Sequence, residues 1–146
     1  MANGKPLPKQ KDLPKKKRVK SVSKLKEDLD AVFSKYVRNK YAVDGYVACY
    51  TCPKVKPVSE MTNGHFVSRR HLATRFDERN CRPQCWGCQA KHLGNGMPVE
   101  FARKLSLEYG EKIIDILYRK AQEIVKNYPY EEKIEEYKKK LENLNG

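Results

Sequence analysis

Leu25, Leu29, Val32, Phe33, Tyr36 and Val37 recur at steps of three and four, which places them on one face of an α-helix. This spacing predicts an amphipathic helix from Ser23 to about Tyr41, with Ser23 as its cap and the apolar stripe as core. Residues 44–68 lose that period and read as short strands and turns: Gly45-Tyr46-Val47-Ala48 leads into Cys49, and Val58 to Val67 runs through His65. A further helix is predicted near Cys85 to Lys91. Gly94-Asn95-Gly96 then breaks the chain, and Pro98 suits the first turn of a helix over about 98–109 that ends at Gly110. The next helix, about 111–127, would bury Ile113, Ile114, Leu117, Ala121 and Ile124 before Pro129 stops it. In the last, about 130–144, Tyr130, Ile134, Tyr137, Leu141 and Leu144 alternate steps of four and three, a seam that suits packing within the chain and dimerisation equally.

At 146 residues, with 39% hydrophobic and 34% charged, the chain can bury only a modest core, which a metal or oligomerisation commonly supplements. No apolar run approaches a membrane span, and the lysine- and proline-rich N-terminus lacks a signal-peptide core, so a soluble, cytoplasmic protein without a membrane partner is expected. The net charge of +13 is uneven. Residues 1–26 hold ten basic and one acidic side chain, and residues 49–95 hold eight and three, while residues 96–146 are balanced. That pattern suits a polyanion, nucleic acid above all.

Four segments follow: a basic disordered arm over 1–20, an N-terminal helix and lead-in strand over 21–48, a cysteine finger over 49–95 and a C-terminal helical region over 96–146. Within the arm, Lys15, Lys16, Lys17 and Arg18 form a run suited to tracking a DNA backbone.

Cys49-x-x-Cys52 and Cys85-x-x-Cys88 have the spacing of a structural Cys₄ zinc site, in which each pair aims two thiolates at one ion. Such an ion has no open position and does no chemistry itself. Cys81, four residues before Cys85 in a C-x₃-C spacing, is either a substitute ligand or a buried thiol. Between the pairs lie His65, whose imidazole titrates near neutrality and suits a general base, and Asn80, whose carbonyl could accept the other ring N–H and fix the tautomer. Arg69, Arg70, His71 and Arg75 crowd the same finger, where they read as phosphate clamps or as a solvated basic face.

The blocks Asn63-Gly-His-Phe-Val-Ser-Arg-Arg-His, Arg75-Phe-Asp-Glu-Arg-Asn and Gln84-Cys-Trp-Gly-Cys, followed by Gly94-Asn95, closely resemble the phage NinG (Rap) recombination proteins, over roughly Ser21 to Val125. The layout is also similar to the HNH, or ββα-metal, nucleases, phage endonuclease VII in particular. The resemblance implies a small α+β fold, a zinc-stabilised ββα-metal finger flanked by an N-terminal helix and C-terminal helices. It implies a structure-specific DNA endonuclease that cuts Holliday junctions and D-loops, with His65 as base, Asn80 as the middle residue and Gln89 as the third. Many such enzymes place an aspartate before the histidine as a metal ligand, where this chain has Gly64. The Mg²⁺ or Mn²⁺ of the class would then fall to Asp77, Glu78, Gln89 or His92, with Asp77 first because a hard cation prefers carboxylate oxygen. Symmetric cutting implies a homodimer, with the C-terminal seam and the first helix as contacts. Other phage or host recombination proteins are possible partners. Two alternatives stand beside this reading: a non-catalytic zinc module that binds junction DNA, and an HNH nuclease acting on ordinary duplex.

Overall fold

Ser21, rather than Ser23, opens the first helix: its hydroxyl accepts the N–H of Lys24 at 3.1 Å, leaving Ser23 inside the first turn. The computed structural model describes Gly4 and residues 18–145; Lys15, Lys16 and Lys17 lie outside the described residues. Helix α1 (Val22–Lys40) buries Leu29, Phe33, Tyr36 and Val37, and ends with Arg38 and Lys40 in its last turn, where cations suit the helix dipole. Helix α6 (Tyr130–Leu144) lies along that stripe with Tyr130, Ile134 and Tyr137. The Phe33 and Tyr137 rings meet edge-on at 4.9 Å. The two apolar faces expected to make dimer contacts are therefore spent largely on each other, because a helix stripe left in water would forgo roughly 1.5–3 kcal/mol for each large side chain.

Strand β1 (Tyr46–Ala48) pairs antiparallel with β2 (Val55–Pro57), and the connection between them carries Cys49 and Cys52. A 3₁₀ turn, Val58–Glu60, leads into β3 (Met61–His65). Strand β3 pairs antiparallel with β4 (Cys81–Cys85), in a register that sets Met61 opposite Cys85 and His65 opposite Cys81. The long connection between them contains the single-turn helix α2 (Leu72–Arg75) and a 3₁₀ turn, Glu78–Asn80. Helix α3 (Trp86–Gln89) follows β4 directly and is shorter than the expected 85–91, because the Ala90–Gly96 turns fold back onto it.

Helix α4 (Pro98–Tyr109) starts and ends as expected, with Gly110 closing it at φ 95°. Helix α5 (Ile113–Ala121) stops six residues before the expected 127, and Ile124 is 87% exposed instead of buried. Asn127, in the left-handed region at φ 53°, and Pro129 turn the chain back towards α1 there.

Three small cores result. One joins α1 and α6, a second gathers Val67, Phe101, Leu105, Ile113, Leu117 and Ala121, and a third surrounds the cysteines with Val47 and Met61. Arg82 on β4, 1% exposed, sits where they meet. Its guanidinium lies 5.1, 5.3 and 5.4 Å from the ring centres of Tyr41, Tyr50 and Tyr109. It donates to Glu108 at 2.7 Å and to the carbonyls of Glu78 and Cys81 at 2.6 and 2.8 Å. Burial alone would favour loss of its proton, but Glu108 and Tyr109 outweigh it and hold the charge. A charge this deep is tolerated because both of its terminal amino groups are partnered, although its buried Nε has no partner among the described residues.

Candidate functional site

The β3–β4 pair has a sulfur end and an imidazole end. At the first, the Sγ atoms of Cys49, Cys52, Cys85 and Cys88 all lie within 4.8 Å of one another. Four sulfurs at the usual Zn–S length of about 2.3 Å stand about 3.8 Å apart in a tetrahedron, and Cys52 and Cys85 are already at 3.7 Å. The cluster could therefore hold a zinc ion, with all four positions filled by protein. Burial would raise the Cys49 thiol, but the N–H of Cys85 and the N–H and hydroxyl of Thr51 overcome this and hold it at about 7. Gly94 is required beside the cluster: a Cβ there would meet the Cys88 carbonyl oxygen at 2.4 Å. Cys81 stays outside the cluster. It is fully buried near the Arg75 carbonyl, and burial pushes its thiol well up, so it is a packed thiol and not a fifth ligand.

At the other end, His65 lines a cleft of about 340 Å³ together with Asp30, Asn63, Arg69 and Gln89; Ser34, Arg38, Met61 and Thr62 complete the wall. The ring Nε2 lies 2.9 Å from the backbone carbonyl of Arg75. A carbonyl only accepts, so Nε2 carries the proton and Nδ1 the lone pair. Burial lowers the His65 pKa from its ordinary 6.5, the Arg75 and Arg69 charges add to this, and the Arg75 carbonyl and Asp30 oppose it. The ring is thus neutral at pH 7, the form a base requires.

Asn80 does not touch this ring. Fully buried, it accepts the Val67 N–H at 2.7 Å and donates to the Val67 and Thr74 carbonyls at 3.0 and 3.1 Å. It ties the chain after His65 to the connection that supplies the Arg75 carbonyl, so the tautomer is set by backbone and Asn80 braces that backbone.

Asp77 is not in the cleft either. It caps the Glu78–Asn80 turn, accepts from Arg79 and from Lys120 at 2.7 Å, and lines a separate cavity with Lys120 and Tyr128. Burial would raise its pKa, but Arg79 and Lys120 hold it down at about 2. Glu78 is bound by Lys40, Lys140 and Tyr137, bridging α1 and α6. His92 stands edge-on to Trp86 at 5.3 Å, and only Gln89 of the four expected metal ligands reaches the cleft.

The basic residues divide likewise. Arg69 lines the cleft, Arg70 is exposed, and His71 precedes α2. Arg75 is not a free clamp: its Nε donates to Asp30 Oδ1 at 2.9 Å and its Nη2 to Oδ2. Arg18 is exposed, beside the groove between α1 and α6.

Asp30 is the carboxylate the sequence reading missed. It sits on the polar side of α1, where nothing in the helical period separates it from Glu27 or Asp28. Asn63 also lines the cleft, and its buried Oδ1 has no hydrogen-bond partner among the described residues. Gly64 has a steric cause. A Cβ there would meet Gln84 Oε1 at 2.0 Å, so the Gln84 side chain fills the space an aspartate would need. Gln84 is held in turn by Thr51 and the Gly96 carbonyl, at 3.0 and 2.9 Å.

A family model described as Bacteriophage Lambda NinG protein matches residues 6–146, a wider span than the motif blocks alone. The chain belongs to the NinG family. NinG membership points to a role in phage recombination. No curated protein and no solved structure matches the chain. Among the described residues of this NinG protein, no helix is long and apolar enough to cross a membrane.

Proposed function

We propose that this NinG-family protein is a structure-specific endonuclease that cuts branched DNA, Holliday junctions and D-loops among its substrates, by hydrolysing a phosphodiester. The observation that carries the proposal is His65 itself: a neutral ring with Nε2 committed to a backbone carbonyl, in a cleft shared with a carboxylate and two side-chain amides. The order β3, β4, α3 around that ring supports the HNH reading.

Nδ1 of His65 takes the proton of the attacking water, and the bond to the Arg75 carbonyl keeps the ring oriented while it becomes charged. Arg69 binds a non-bridging phosphate oxygen, which both positions the backbone and offsets developing negative charge. Asp30, Gln89 and the unpartnered oxygen of Asn63 supply the oxygen donors that Mg²⁺ or Mn²⁺ prefers. Arg75 uses both Asp30 oxygens, but each keeps a further lone pair. A cation held there would stabilise charge on the departing 3′-oxygen, giving 5′-phosphate and 3′-hydroxyl ends. Paired cuts across a four-way junction call for a homodimer, whose contacts would lie off the α1–α6 seam.

A second reading, junction binding without cleavage, is favoured by the Arg75–Asp30 pair, which neutralises the one carboxylate in the cleft. One experiment separates the two. Wild type and His65→Ala are incubated with a labelled four-way junction and with linear duplex, with and without Mg²⁺. Metal-dependent cutting of the junction, lost in the variant while binding persists, is expected. Junction binding without cutting even in Mg²⁺ would establish the second reading, and equal cutting of linear duplex would remove the structure specificity.

A further inference from the structure

The chain has one tryptophan, Trp86, and its side chain belongs to none of the three cores. It is 58% exposed. Its ring is the largest π-surface the chain presents to solvent, apt for stacking on a planar partner.

Its position is fixed from both sides. Trp86 lies between Cys85 and Cys88 in the chain and opens α3, so the sulfur cluster anchors its backbone. Gln89, three residues on in the same helix, lines the His65 cleft. Residues three apart share a helix face and are separated by about 4.5 Å along the axis. Trp86 is not itself part of the cleft wall, but it lies within one helical turn of Gln89, which is.

The surroundings favour a polyanion. Lys54 reaches to 4.0 Å of where a Gly87 Cβ would stand, and Lys91 and His92 are exposed beside the same helix. No Asp or Glu occurs in residues 45–59 or 79–99, the two stretches that build this corner.

We propose that Trp86 is a stacking platform for an unstacked nucleobase at the branch point of DNA, and that it helps the protein tell branched DNA from plain duplex. The inference rests on the reading of the protein as one that acts on branched DNA. Base pairs inside a duplex already have both faces stacked, whereas a branch point exposes a π-face that an indole can cover. Stacking on aromatic side chains contributes to affinity without regard to sequence. Lys54 and Lys91 would hold the flanking phosphates.

Because Trp86 is the sole tryptophan, its emission reads the contact directly. The His65→Ala protein, which keeps substrate intact, is titrated with a four-way junction, a single-stranded fork and linear duplex. Quenching by the junction and the fork, and none by duplex at equal saturation, is expected. In the same background Trp86→Ala should weaken junction binding about tenfold and leave duplex binding unchanged, with Trp86→Phe intermediate; a thermal melt checks that each variant folds. Junction binding with unaltered emission, or equal losses on junction and duplex, would overturn the proposal. A protein that is quenched by junctions yet never cuts them keeps this inference and loses the nuclease reading. Cutting of junctions with an unquenched indole does the reverse.

Discussion

Arg75 grips Asp30 through its guanidinium, with Nε 2.9 Å from Oδ1, while its own carbonyl holds the His65 ring at 2.9 Å. One residue thus connects helix α1 to the proposed base, by side chain on one side and by backbone on the other.

That double role gives opposite signs for two substitutions. Arg75→Ala keeps the carbonyl but removes a positive charge and some burial, so the His65 pKa should rise towards 6.5. Asp30→Asn removes the charge that opposes the shift, so the pKa should fall further. Both should lower stability, by about 1–3 kcal/mol for the lost charged hydrogen bonds. Titrating the His65 ring protons by NMR tests the signs; a shift in the same direction in both variants would contradict this geometry.

Cleavage should follow the neutral ring. Because the His65 pKa lies below 6.5 in the folded protein, kcat/KM should have an acid limb with its midpoint below that value. The stability owed to the neutral ring is complete above 6.5, the unfolded value, and is lost as pH falls through the lower folded one. His65→Ala should lower cleavage by about 10²–10⁴-fold at pH 7 and remove the acid limb. A pH–rate profile of wild type and variant checks both points.

Cys85→Ser should release zinc and unfold the finger, whereas Cys81→Ala should keep the full zinc content, because Cys81 lies outside the four-sulfur cluster. Metal analysis and a thermal melt of each purified variant distinguish the two. Equal zinc loss in both would mean that Cys81 serves as a ligand.

Gly64→Asp, which would install the carboxylate common in HNH enzymes, should destabilise this protein by about 1–3 kcal/mol through overpacking against Gln84. Shortening the obstacle, as Gln84→Ala in the same chain, should recover part of that loss. Urea denaturation of the single and double variants measures the coupling, and simple additivity would rule out the steric cause.

Sequence periodicity made most helices legible, since Leu29, Phe33, Tyr130, Ile134 and Tyr137 needed only a helical stripe to be placed in the core. Cysteine spacing made the sulfur cluster legible for a similar reason, because two tight turns converge wherever two strands pair. Chemistry that depends on contacts between distant segments was not legible. Asp30 reaches the His65 cleft across 35 positions of chain, and no local pattern marks it. Asn80 and Asp77 had the right side chains for ring and metal, but backbone groups of the β3–β4 connection claimed Asn80, and Arg79 with Lys120 of α5 claimed Asp77. The early end of α5 was hidden because Ile124 continues the helical period past the point where the packing surface runs out.

Arg82 draws on residues from every core at once: Tyr41 packs against the first and third, and Tyr50 against the second. Melting any one of them would strand a bare cation in oil, so none can open alone. The molecule should therefore lose its structure in a single step, with no half-open species along the way.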